Sequence, residues 1–239
     1  GGGILFTYRS SDLKQWEVIS PLYQGNGTQT GEFWEMPVFC QIDDSLYILA
    51  VTPVPTPAKR AETIYWLGTW QNELFVPRQA EPKKLELIQE SLLSPAFGRD
   101  DQNKLTYIGI IPEDRNAADQ IAAGWRHHFS LPRVVRLLGD GVTIGQIPHP
   151  NLCRLRKDTL SFSNKVIVPG QAGNLPEVQG HQLELEMELS ATDTSYFEIQ
   201  LLKNASSTIY TAIHFDFEHH KVALDRRKSG LSAAAKDYR

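Results

Sequence analysis

Cysteine is scarce in this chain of 239 residues, with only Cys40 and Cys153. They lie far apart and outside any C-x-x-C pattern, which excludes a disulfide-framed scaffold and a thiolate metal cluster. Both are expected to be buried thiols that pack rather than react. The paired histidines His127-His128 and His219-His220 lack metal-ligand spacing, so neither a metal nor a cofactor is expected. No apolar run approaches the roughly 20 residues that cross a bilayer, so no membrane-spanning segment is expected. A basic excess is missing too: 24 Lys and Arg stand against 28 Asp and Glu, for a net charge of −4. The Arg226-Arg227-Lys228 run fits a solvated hairpin, and nucleic acid is not an expected partner. Helical periodicity is absent apart from a turn or two within 86–93 and 116–123. The chain opens Gly1-Gly2-Gly3-Ile4 without a signal peptide and enters a strand pattern at once, as if cut inside a folded unit. Localisation is therefore left open.

What is present reads as all-β. Hydrophobic residues at 41% and charged residues at 22% support a sizeable core. Short β-type runs at 4–8, 46–51, 64–70, 105–111 and 134–138 are separated by turn signals such as Asp43-Asp44, Asp100-Asp101 and Asp140-Gly141. Several share one plan, a turn and then a strand ending in an aromatic and aliphatic cluster, as in Ser45-Leu46-Tyr47-Ile48-Leu49 and Lys104-Leu105-Thr106-Tyr107-Ile108. This predicts repeated blades, with Tyr47, Tyr65, Trp66 and Tyr107 packing between them. After residue 160 the pattern lengthens. Leu183, Leu185, Met187 and Leu189 alternate with glutamates, and Ile209, Thr211, Ile213, Phe215 and Phe217 alternate with polar residues, as sandwich strands would. The stretch 148–159 is the expected linker, dividing the chain into a propeller at 1–150 and a sandwich at 151–239.

The segment Gly31-Glu32-Phe33-Trp34-Glu35-Met36-Pro37 carries the candidate chemistry. A carboxyl held between a tryptophan and an apolar residue loses hydration, and its pKa rises toward a range useful for proton donation. The other reading of Glu35 is a strand glutamate facing water. Glu32, three residues away, would point to the opposite strand face and is expected to be structural.

Glu32-Phe33-Trp34-Glu35-Met36-Pro37 resembles the W-E-C-P motif of glycoside hydrolase family 32, the invertases, levanases, inulinases and related β-fructosidases. Three further matches fall in family order. Gly3-Ile4-Leu5 with Tyr8 to Glu17 is similar to the family's G-x-I-L-x-Y-x-S-x-D-L-x-x-W-E strand pair. Ala123-Gly124-Trp125 with Ser130-Leu131-Pro132-Arg133 is similar to its A-G-W…S-L-P-R segment, and Leu224-Asp225-Arg226 with Ser229-Gly230 to its L-D-R-x-x-S-G hairpin.

The resemblance implies a five-bladed β-propeller followed by a β-sandwich, and retaining hydrolysis of a terminal β-fructofuranoside such as sucrose or a fructan. Glu35 would be the acid/base, with Trp125, Met36 and Trp34 as substrate-binding residues. The family's nucleophilic aspartate, in an N-D-P-N-G-type motif, and its R-D-P aspartate have no counterpart, since neither Asn-Asp-Pro nor Arg-Asp-Pro occurs in the 239 residues. The chain is therefore expected to be truncated at both ends and inactive by itself. Met36 stands where the family has cysteine. A non-catalytic carbohydrate-binding remnant and a fructosyltransferase are the alternatives.

Overall fold

A computed structural model describes residues 2–54, 61–88, 91–113, 115–190 and 196–230. It divides into two compact units, Gly1–Glu113 with Arg126–Arg154, and Asp114–Trp125 with Leu155–Arg239.

In the first unit β1 (Ile4–Arg9) and β2 (Glu17–Gln24) form an antiparallel ribbon. Asn26 then caps a single-turn helix, α1 (Gly27–Thr30), through a hydrogen bond from the Thr28 amide. A four-stranded antiparallel blade follows, with β3 (Trp34–Gln41), β4 (Tyr47–Pro53), β5 (Ile64–Gln71) and β6 (Leu74–Pro77) in spatial order; β7 (Lys83–Lys84) also pairs with β5. The next blade has β8 (Leu93–Arg99) on one side of β9 (Leu105–Ile111). On the other side of β9 lie β10 (His128–Phe129) and β11 (Arg133–Leu137), and β12 (Ile144–Pro148) pairs with β11. Sequential antiparallel blades of four strands are the unit of a β-propeller.

The hairpins are closed as the turn signals predict. Asp43 accepts the amides of Ser45 and Leu46, Asp100 those of Gln102 and Lys104, and Asp140 those of Val142 and Thr143. A short acceptor side chain satisfies turn amides that the ladder cannot reach.

Strand β4 shows how the aliphatic runs are used. Ile48 and Ala50 join Tyr65, Leu67, Leu92, Leu105 and Tyr107 in a core between the two blades. The alternate residues Leu49 and Val51 join Leu22, Trp34, Trp66 and Phe75 against the ribbon. A strand packed on both faces has no polar side, which is why this one reads as an unbroken apolar run. Tyr65, Trp66 and Tyr107 are each 1% exposed, in line with a packing role.

The second unit contains α2 (Ala117–Ala123), capped by Asn116 and ended by Gly124 at φ +76°. Its sheet is antiparallel, β13 (Tyr196–Leu201), β14 (Thr211–Asp216) and β15 (Lys221–Asp225). The register places Phe197 opposite Phe215 and Ile199 opposite Ile213, and Glu198 opposite His214 on the other face, so the expected alternation is realised in β14.

Three expectations are corrected. Residues 183–189 form no strand, and Leu183, Leu185, Met187 and Leu189 are exposed: alternation gives a strand only where a neighbour supplies the ladder, and none does among the described residues. No helix forms within the described part of 86–93, where β8 already begins at Leu93. Cys153, expected to be buried, is exposed on a 3₁₀ turn over Pro150–Leu155, whereas Cys40 is half-buried and burial pushes its thiol up to about 11.

Candidate active site

Glu35 sits near the start of β3, and its placement is set by an irregular ladder. Trp34 pairs with Pro53 and Glu35 with Thr52, but the next pair is Val38 with Ala50. One extra residue is therefore accommodated on β3. Met36 absorbs it at φ +48°, and Pro37, lacking an amide hydrogen, gives up no ladder bond at the break. Such a bulge bends the strand immediately after Glu35 and re-aims its side chain.

The apolar enclosure expected for Glu35 is not found. Glu35 is exposed, and so are its neighbours Phe33, at 61%, and Met36, at 56%. Sequence adjacency brings side chains together only where the backbone points them the same way, and strand alternation sends Trp34 to the face opposite Glu35.

Trp34 is 7% exposed. Its Nε1 donates to the Thr30 carbonyl at 2.7 Å, and its ring stacks near Tyr23 and lies 5.7 Å from the centroid of Trp66. Glycine is required at two positions against the indole, because a Cβ on Gly3 or Gly25 would stand 2.3 or 2.2 Å from ring atoms. An indole enclosed in this way anchors the strand that carries Glu35 and leaves no open face for a sugar ring.

Opposite Glu35, Thr52 was not singled out by its sequence context. It is 3% exposed, shares a 3.1 Å hydrogen bond with Thr63, and its Oγ1 accepts the Ser94 amide of the next blade at 3.0 Å. Ser94 lies in a second bulge, between the pairs Leu93–Ile110 and Ala96–Ile108, at φ +51° and before Pro95. The first strands of both blades thus carry the same device, a left-handed residue followed by proline. Met36-Pro37 and Ser94-Pro95 are its only sequence trace, and Leu93 occupies the place that Glu35 has in the preceding blade.

Trp125 belongs to the second unit and is 45% exposed. The Arg115 guanidinium lies 3.7 Å from its ring centroid and donates to its carbonyl at 3.3 Å, so one indole face is engaged by a cation.

Two polar clusters brace the second blade. Arg133 pairs with Glu86 and also donates to Gln146 at 2.8 Å and to the Tyr107 hydroxyl at 3.1 Å. Burial pushes the Tyr107 hydroxyl up. Burial also opposes the Arg133 charge, but Tyr107 and Glu86 outweigh it and hold the guanidinium protonated. Arg133 is therefore engaged structurally.

His149 Nε2 meets Asp100 at 3.0 Å, with both side chains about one-tenth exposed. Burial raises the Asp100 carboxyl, yet the amides of Lys104 and Gln102 and the His149 ring hold it below the ordinary carboxylate range. A depressed carboxyl contributes stability that is present above its unfolded pKa, about 3.9, and is lost as pH falls through the folded value. Asp100→Asn is expected to lower the thermal midpoint at pH 6 to 7, by a gap that narrows as pH falls below the unfolded carboxyl value. A constant gap from pH 3 to 7 in thermal melts would contradict this.

No group of three or more His, Cys, Asp or Glu suited to a metal occurs among the described residues.

Comparison with known proteins adds the wider frame. Residues 1–148 match the glycosyl hydrolases family 32 N-terminal domain, and residues 151–238 the family 32 C-terminal domain. A fructan 1-exohydrolase of Aegilops speltoides is 26% identical over 204 residues, covering 78% of this chain and 34% of that protein. A levanase of Bacillus subtilis is 23% identical over 250 residues, covering 96% of the chain and 36% of its own length. The chain thus spans about a third of these relatives. Among solved structures, fructan 1-exohydrolase IIa of Cichorium intybus superposes with a TM-score of 0.74 at 18% identity, over 97% of this chain and 52% of that one. A Bombyx mori β-fructofuranosidase variant in complex with sucrose superposes with a TM-score of 0.66 at 20% identity, over 95% and 47%. These likenesses give the fold as all-β, a partial propeller followed by a sandwich.

Proposed function

Since the chain belongs to glycosyl hydrolases family 32, we propose that the protein it comes from hydrolyses terminal β-fructofuranosides, sucrose or a fructan, with Glu35 as acid/base. The observation that carries this reading is the position of Glu35. It is an exposed carboxylate on the first strand of a blade, aimed by a bulge and anchored by the buried Trp34 beside it.

Retaining hydrolysis uses two carboxylates about 5 Å apart: one attacks the anomeric carbon while the other protonates the leaving oxygen and then activates water. Glu35 takes the second role. The nucleophile is assigned to no residue of the 239, because neither Asn-Asp-Pro nor Arg-Asp-Pro is among them. Met36, exposed beside Glu35, is the apolar surface proposed to meet the sugar there; Trp125 is proposed as a substrate-binding residue on the family resemblance alone. Trp34 supports that wall from behind. The proposed domain division follows the sequence reading, at 150/151.

The test is fructose release from sucrose, 1-kestose and levan by the 239-residue chain. Little or none is expected, because acid catalysis without a nucleophile lacks the covalent step. Release that disappears in Glu35→Gln would show instead that a carboxylate of this chain serves as nucleophile.

A further inference from the structure

Thr52 faces Glu35 across the β3–β4 ladder, and directly paired residues of antiparallel strands share one face of the sheet. That face turns toward the second blade. Val38 and Cys40, further along β3, pack on the core between the blades, as do Ile48 and Ala50 of β4. The seam beside Glu35 is therefore lined by the Thr52 hydroxyl and the Ser94 bulge.

The hydrogen bonds at this seam are few and specific. The Ser94 amide lies in the irregular part of the β8–β9 ladder, where register is lost between Leu93 and Ala96, and it donates to Thr52 Oγ1 instead of to a strand. The same oxygen bonds Thr63 Oγ1. One nearly buried hydroxyl thus joins three strands, β4, β8 and the entry to β5, directly opposite the carboxylate. If the hydroxyl is removed, the Ser94 amide loses its acceptor and the bulge must move to find another.

We propose that Thr52 is a positioning residue for Glu35: its hydroxyl fixes the Ser94 bulge against the strand face that presents the carboxyl. This deepens the acid/base reading of Glu35 and rests on it. Thr52 touches no reacting atom in this role; it sets the distance and solvent access of the group that does.

The test uses NMR on the 239-residue chain with ¹³C-carboxyl glutamate, the Glu35 resonance being identified by its loss in Glu35→Gln. Thr52→Val keeps the volume and removes the hydroxyl. It is expected to speed Ser94 amide exchange about tenfold, the loss of one hydrogen bond, and to displace the Glu35 carboxyl resonance and its pH profile. Thr52→Ser is expected to retain both wild-type properties.

A Glu35 resonance and profile unchanged in Thr52→Val, whether or not Ser94 exchange accelerates, would overturn the proposal and leave Thr52 a strut or a packing residue. Where Thr52→Val does not fold, Thr52→Ser and Thr52→Ala are compared, since they differ by the hydroxyl alone; identical Glu35 behaviour in those two would overturn it equally. Failure of the acid/base reading looks different. Fructose release by the protein as its gene encodes it would then survive Glu35→Gln, while these NMR readouts would stay as they are.

Discussion

Glu35→Gln is expected to reduce sucrose or fructan hydrolysis by about 10²- to 10⁴-fold in the protein as its gene encodes it, the range typical for removal of a general acid. At about 1.4 kcal/mol per decade, this corresponds to a rise of about 3 to 5.5 kcal/mol in the barrier. The isosteric amide keeps the shape of the exposed site on β3 and its place opposite Thr52, so the loss is expected in kcat rather than in stability. The dependence on leaving group makes the prediction specific. A fructoside whose leaving group departs without protonation needs no acid in the first step, so it should show a much smaller fall in the rate of glycosyl-enzyme formation. Equal losses on good and poor leaving groups would argue for a positioning or electrostatic role. Unchanged hydrolysis of sucrose would remove Glu35 from the mechanism.

The second large effect concerns folding. Trp34→Ala is expected to cost about 3 to 5 kcal/mol of stability, as for other buried tryptophans cut back to alanine. The indole touches the Tyr23 and Trp66 rings, donates to Thr30, and fills a slot floored by two glycines. A wall of that kind cannot collapse cheaply around the cavity. Trp34→Phe should recover part of the packing but not the Thr30 hydrogen bond, landing between the two in denaturant titration. The outcome also separates two roles for this residue. A sugar-stacking tryptophan would, on replacement by phenylalanine, raise KM with little change in the unfolding midpoint; an anchoring one does the opposite. The enclosed position of Trp34 predicts the second pattern. Because Trp34 adjoins Glu35, the destabilised variant should also lose activity ahead of global unfolding on heating.

Much of the first unit was legible in the sequence because its signals are local. Asp43, Asp100 and Asp140 mark hairpins through hydrogen bonds to amides two to four residues on, and such contacts depend on nothing distant. The recurring turn-then-aromatic plan predicts blades, and Tyr65 and Tyr107 pack between them as it requires, whereas Trp66 and the half-buried Tyr47 pack in the cluster against the ribbon. The alternation at 183–189 misled, because period-2 patterning states only what a strand would look like if a neighbour paired with it.

The site shows the same division. Sequence alone determined that the chain is all-β, that it belongs with the β-fructosidases, and that Glu35 is the carboxylate to examine, since motif identity is carried by residue order. Only the tertiary structure decided the surroundings of that carboxylate. It put Trp34 in the core instead of in a sugar pocket, left Glu35 exposed rather than enclosed, and set Thr52 and Ser94 beside it. These outcomes depend on a bulge at Met36-Pro37 and on a register linking strands far apart in sequence. Which face a side chain takes, and what it meets there, is fixed by pairing across strands and not by its neighbours along the chain.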